Sequence, residues 1–175
     1  NRLPVSSEYL YVSFDITQEA EVNQVFETYK PNMVIHTAAM TNVDACELQQ
    51  EECDRMNVEV VANILAYCDK KDTYLVHLST DFIFDGEKGT IYKEEDMAHP
   101  VNYYGLSKWK SELMIRESNV PHSILRTILV YGLVDGNDRS NIVLWAYNTL
   151  KSGNPAKVVN DQFRTPTLAE DLAMG

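Results

Sequence analysis

The chain has 175 residues, 45% of them hydrophobic, enough for one ordinary domain with a real core, or one domain plus the start of another. Fifteen basic against 26 acidic residues leave a net charge of -11. That balance argues against nucleic acid or an anionic membrane as the main partner, since both are polyanions, and leaves a small-molecule ligand as the natural class.

Tyr9 to Phe14 is aromatic and β-branched, which predicts a strand, and Thr17 is placed to cap a helix behind it. Val22, Val25, Phe26 and Tyr29 recur at helical spacing, and Pro31 stops the pattern before an apolar strand at Met33 to Ile35. A polar stretch then leads into a long helix with Met56, Val60, Ile64 and Tyr67 on one face, followed by a strand at Tyr74 to Leu78. A third helix is expected from Tyr103 to Ser118, and a fourth strand from Ser123 to Tyr131, between Pro121 and Gly132. Trp145 and Tyr147 lie in an apolar helical stretch after Asn141, where packing is favoured over stacking on a substrate. Alternating strands and helices, with strands apolar on both faces, predict a doubly wound α/β parallel sheet of Rossmann-like class. Ligands of such sheets sit beyond the carboxyl ends of the strands. Here those ends carry Asp15, then Ala38 to Thr41, then Ser79 to Asp81, then Tyr131 and Gly132.

Cys46, Cys53 and Cys68 form no CxxC pair, which argues against a disulfide framework or a zinc knuckle and fits a reducing cytoplasm. Cys46 and Cys53 stand seven apart, and the plain reading is two small semi-buried residues. The histidines His36, His77, His99 and His122 show no metal-ligand spacing, and the two inside strands can be satisfied by a neighbour. No metal is expected. The run Lys93 to Asp96 reads as a solvated loop. No apolar run approaches the roughly 18 residues of a membrane span, and no basic-plus-apolar leader precedes the first strand, so a soluble protein is expected.

Tyr104 and Lys108 are four apart on a predicted helix and stack on one face. A nearby ammonium favours a phenolate, which should bring the tyrosine down from its ordinary pKa near 10 toward a working range for proton transfer. A hydroxyl at the end of the neighbouring strand, Thr80 rather than Ser79, can hold the same substrate oxygen.

Several stretches together carry a resemblance. They are Asp15-Ile16-Thr17, Ala38-Ala39-Met40-Thr41 with Val43-Asp44, His77 to Gly86, Tyr104 to Lys108 with Glu112, and Asp161 to Thr167. The chain resembles the extended short-chain dehydrogenases, and within them the dTDP-4-dehydrorhamnose reductase group. The resemblance implies a hydride passing from a nicotinamide to the C4 ketone of a nucleotide-linked 6-deoxy sugar. It makes Tyr104 the acid, Lys108 its tuner and the holder of the nicotinamide ribose, and Thr80 the group that orients the ketone. It places Asp15 and Ile16 beside the adenine and Ala38, Ala39 and Met40 along the adenosine. Asp15 also reads as a helix cap, and the alanines as tight helix-on-sheet packing. Thr80, Asp81 and Arg164 fall on the substrate side, with a surface ion pair as the competing reading for Arg164. Arg2 points to NADPH, with NADH as the second candidate.

The resemblance also puts the glycine-rich phosphate loop ahead of Asn1. It implies an internal piece, with residues 1–152 part of the cofactor domain and 153–175 the start of a substrate domain, and predicts that the isolated piece does not bind NADPH measurably. A homodimer is compatible with such a protein. Two rival functions share these features. A dehydratase or epimerase would share the tyrosine and lysine, but a dehydratase needs a glutamate base where Phe82 stands. A non-catalytic regulator, such as the β subunit of methionine adenosyltransferase, resembles the same group.

Overall fold

The computed structural model describes residues 9–132 and 141–175. Arg2 and its bearing on the cofactor lie outside these residues. The described chain forms two compact units, divided after Arg126.

The first unit is α/β. Helix α1 (Glu19–Tyr29) starts with acidic Glu19 and Glu21, which suit the positive end of its dipole. It ends at Lys30, whose left-handed backbone turns the chain into Pro31 and strand β1 (Met33–His36). Helices α2 (Val43–Leu48) and α3 (Gln50–Asp54), a π-helical turn (Arg55–Glu59) and α4 (Val60–Lys71) then run almost without interruption to strand β2 (Tyr74–Thr80). A 3-10 turn at Asp81–Ile83 closes the end of β2. Helix α5 (Tyr103–Glu117) leads to strand β3 (His122–Thr127), and the sheet order is β1-β2-β3. β1 and β2 are parallel, with His36 opposite His77.

The core forms where α4 and α5 cover the sheet: Val60, Val61, Ile64, Leu65 and Cys68 meet Leu75 from β2, Ile115 from α5, and Val120. Full burial of each such aliphatic side chain contributes roughly 1.5–3 kcal/mol. Tyr67 joins α4 to α1 twice. Its ring meets Phe26 edge-on at 4.9 Å, and its hydroxyl donates to the Phe26 carbonyl at 3.0 Å.

The second unit carries α6 (Ile142–Lys151) and α7 (Ala169–Met174). Asn141 caps α6, accepting from the Val143 and Leu144 amides at 3.1 and 3.0 Å. Tyr131 and Leu168 make a single parallel bridge.

Four expectations change. Residues 9–14 form no strand, because aromatic and β-branched propensity supplies no ladder and these residues pair with none of the described strands. Thr17 does not cap α1. Its amide and hydroxyl both donate to Asp15 Oδ1, at 2.9 and 2.7 Å, so Gln18 takes the cap position. β1 is not apolar-covered on both faces, since Met33 and Ile35 are exposed. The fourth strand stops at Thr127 rather than Tyr131, which is held instead by its bridge to Leu168. In α6, Tyr147 is exposed and Trp145 half-buried.

Candidate active site

The N-terminus of α5 is fixed by local chemistry. Asn102 caps it by accepting from the Gly105 amide at 2.8 Å. Gly105 then lets the helix approach the turn after β2 more closely than any side chain would allow: a Cβ there would lie 2.1 Å from the Phe82 carbonyl oxygen. Tyr104, the residue before it, is thereby set against the end of β2.

Its ring meets Phe82 edge-on at 5.7 Å, and the buried Thr80 side chain lies near enough to its phenol to lower its pKa. Thr80 itself is held by the turn. Its Oγ1 accepts from the Phe82 amide at 3.2 Å and donates to Asp81 Oδ1 at 3.3 Å. Thr80, Asp81 and Tyr104 are therefore neighbours.

Burial raises the Tyr104 phenol above its usual value of 10, and nearby Cys46, Asp81 and Cys53 add to the rise while Thr80 opposes it. This corrects the expectation that Lys108 lowers it. Lys108 is 2% exposed, and its ammonium reaches not the phenol but His77, with Nζ 3.1 Å from Nε2. Burial lowers Lys108 to about 8, against the opposing influence of Glu112 and Cys53. The arrangement suits a tyrosine that keeps its proton until a stronger base, such as a developing alkoxide, takes it.

Ala38, Ala39 and Met40 follow β1 and are half-buried, with methyl groups only at the first two. The Met40 backbone is clamped by Asn57 from the π turn. Asn57 Oδ1 accepts from the Met40 amide at 2.8 Å, and its Nδ2 donates to the Met40 carbonyl at 3.0 Å and to Ser107 Oγ at 2.9 Å. One buried amide side chain thus ties this turn to the helix that carries Tyr104 and Lys108. Asp15 is exposed, and its hydrogen bonds from the Thr17 side chain and backbone hold its carboxyl below the usual range. Ile16 packs against the core cluster.

Glu112, fully buried, joins α5 to both strand ends. It accepts from Ser79 Oγ at 2.6 Å and from Arg126 Nε and Nη2 at 3.0 and 2.7 Å, with Arg116 Nη2 at 3.2 Å. Arg126 also donates to the Glu94 carbonyl at 3.2 Å and lies over the Phe84 ring, which secures the loop after β2.

Asn57, His77 and Gly105 were not singled out from sequence as parts of the site. Each acts through a partner far along the chain; for Asn57 the only sequence signal was a polar residue amid a buried pattern, while His77 and Gly105 lie in stretches that carry the resemblance without a role of their own. Cys46 and Cys53 prove fully buried, on separate helices. Arg164, in the second unit, donates to Gln162 Oε1 at 3.3 Å. Among the described residues no cluster of three metal-ligating side chains occurs, and no helix is long and apolar enough to cross a membrane. Two surface depressions, one lined by Gln49, Glu51, Glu52 and Arg55 and one around Asp85, Tyr92 and Asp96, include none of Thr80, Tyr104 and Lys108.

Comparison with known proteins identifies the family. The family model described as RmlD substrate binding domain matches residues 3–175. A dTDP-4-dehydrorhamnose reductase of Aggregatibacter actinomycetemcomitans is 34% identical over 163 residues, 93% of this chain and 54% of the relative. The methionine adenosyltransferase 2 subunit beta of Pongo abelii is 28% identical over 152 residues, 87% of this chain and 45% of the relative. Among solved structures, a dTDP-4-dehydrorhamnose reductase of Clostridium acetobutylicum superposes with a TM-score of 0.83 at 38% identity, over 91% of this chain and 55% of that one. The dTDP-4-dehydrorhamnose reductase of Bacillus anthracis, solved in complex with NADP, gives 0.84 at 32% identity, over 91% and 56%. The chain spans about half the length of the curated relatives it matches.

Proposed function

Because this chain belongs to the RmlD substrate-binding-domain family, we propose that its protein is an NADPH-dependent reductase of a nucleotide-linked 4-keto-6-deoxy sugar, with NADH as the alternative cofactor. The observation that carries the reading is the Tyr104 phenol set beside the Thr80 side chain at the end of β2, with the buried Lys108 one turn along the same helix.

The residues present fit a dinucleotide. Ala38 and Ala39 present only methyl groups after β1, so a ligand can approach the backbone there, and Asn57 holds that turn in place. Asp15 and Ile16 would flank the adenine, Ala38 to Met40 the adenosine, and Tyr104 and Lys108 the nicotinamide ribose. The group held there would be a reduced nicotinamide, whose chemistry is to supply a hydride to the keto carbon. As the C=O bond becomes a C–O single bond, Tyr104 Oη gives its proton to the oxygen, and an alcohol results. The Thr80 hydroxyl, which in the free protein donates its one proton to Asp81 Oδ1, would turn that proton to the same oxygen and fix the carbonyl. Asp81 and Arg164 are assigned to the substrate, Arg164 to a phosphate of the nucleotide.

We assign residues 1–152 to the cofactor domain and 153–175 to the start of the substrate domain, in a cytoplasmic protein that can form a homodimer. Phe82 supports reduction over dehydration, since its ring, edge-on to Tyr104, has no proton to move. The regulatory reading has the methionine adenosyltransferase relative in its favour.

The two separate by experiment. The complete protein mixed with NADPH and a panel of nucleotide-linked 4-keto sugars is expected to oxidise NADPH, and Tyr104→Phe to lower kcat by about 100-fold or more. NADPH binding without turnover on any sugar would sink the reductase and favour the regulator.

A further inference from the structure

A buried ammonium has three N–H donors and no acceptor, and it is costly to bury without partners. Lys108 is in that position, and His77 Nε2 is at hydrogen-bond distance from its Nζ. The polarity of this contact is decided by chemistry. The ammonium can only donate, so Nε2 must carry the lone pair, and the one proton of a neutral imidazole then sits on Nδ1. His77 is placed for this by the sheet. It alternates inward with Leu75 and Ser79 along β2, and its register partner His36 stacks on it, ring centroids 5.3 Å apart and planes 29° apart. His77 Nδ1 and His36 Nε2 have no hydrogen-bond partner among the described residues.

We infer that His77 is a positioning residue for the reduction proposed above: its Nε2 lone pair holds the Lys108 ammonium in one place, so that β2 as well as α5 sets where that charge lies. The inference rests on the reductase reading for its consequence, but not for its geometry. The groups that face Lys108 are His77 on β2, His36 on β1, Cys53 on α3, and Glu112 on its own helix. Both histidines stay neutral at working pH, held at about 2 and about 4 by burial and then by Lys108 itself. His77 therefore offers Lys108 a lone pair without a competing positive charge. Removing that acceptor disfavours the charged amine, and activity that needs the ammonium is then lost at a lower pH.

Two measurements on the complete protein test this. In 15N-histidine NMR, His77 is expected with its proton on Nδ1 and Nε2 bare from pH 5 to 7, where Lys108 is charged, and Lys108→Met is expected to move the Nε2 resonance. A proton on Nε2 in the unaltered protein overturns the inference. In kinetics, the alkaline limb of kcat/KM is expected to fall by about one pH unit in His77→Leu, the scale of a lost hydrogen bond to a charged group. His77→Gln, whose side-chain oxygen can accept from Nζ, is expected to restore the limb. An active enzyme whose limb is the same in His77→Leu overturns the inference and leaves the reductase standing. An unaltered protein that reduces no keto sugar overturns the reductase and this role with it, whatever the NMR shows of the contact.

Discussion

Gly105→Ala is the sharpest test of how the fold places Tyr104. The added Cβ would stand 2.1 Å from the Phe82 carbonyl oxygen and 2.8 Å from its carbon, with Pro100 Cβ at 3.2 Å. The first two are backbone atoms that cannot swing aside. Restoring a carbon-to-oxygen contact of about 3.3 Å requires the helix start and the turn to part by roughly 1.2 Å. Overpacking of this kind costs about 1–3 kcal/mol, partly offset by the gain of roughly 1 kcal/mol when alanine replaces glycine in a helix. The protein should therefore stay folded, with at most a modest loss of stability. Activity should suffer more. Tyr104 adjoins Gly105 and Thr80 adjoins the turn, so the same displacement opens the gap between phenol and hydroxyl, and a misplacement of about 1 Å is worth roughly 100-fold in rate. The assay is NADPH oxidation alongside thermal unfolding of the same sample. A variant with unaltered kcat/KM and unaltered melting would refute the claim that this close approach positions the tyrosine.

Asn57→Ala removes the clamp on Met40, and is expected to raise the KM for NADPH about 10-fold with a smaller change in kcat, because one or two hydrogen bonds of roughly 1 kcal/mol each hold that turn. A change in kcat alone would contradict it. Glu112→Ala leaves Arg126 and Ser79 without their buried partner and should cost about 3–5 kcal/mol in urea unfolding; a loss below about 1 kcal/mol would show the network to be idle. Acid should weaken the fold before the carboxylates titrate. His36 and His77 are depressed in the fold to about 4 and about 2, chiefly by burial, whereas unfolded histidines take up a proton near 6.5. Their stability is complete above that value and is lost as pH falls, by about 2 kcal/mol per histidine at pH 5. Urea midpoints at pH 7 and pH 5 in the unaltered protein and in a His36→Gln, His77→Gln double variant check this; equal losses in both would refute it.

What was readable in the sequence was what neighbouring residues decide. The helix from Tyr103 needed only its helical pattern, and the strand expected at Tyr74 to Leu78 only its short apolar run, which the structure extends to Thr80. Thr80 and Tyr104 follow from these two elements, because a strand end and the first turn of the next helix meet wherever such units pack. The failures share one cause. Residues 9–14 have strand composition, but a strand is defined by a partner. Thr17 has a capping side chain, but Asp15 two residues earlier competes for it and wins with two hydrogen bonds.

Lys108 shows how far that reasoning reaches. Helical spacing gave its distance along the helix from Tyr104, yet spacing carries no information about which buried acceptor its ammonium will find across 31 residues of sequence. Half of that answer was present in the strand pattern: Leu75, His77 and Ser79 alternate, so burial of Leu75 turns His77 inward as well. The other half is the register of β2 against β1, since a slip of one residue would send His77 to the opposite face and separate it from both His36 and Lys108. The charge beside the proposed reaction is therefore set by the pairing of two strands that contain none of the expected catalytic residues except Thr80, and a substitution that shifts that pairing should disturb Lys108 before it disturbs Tyr104.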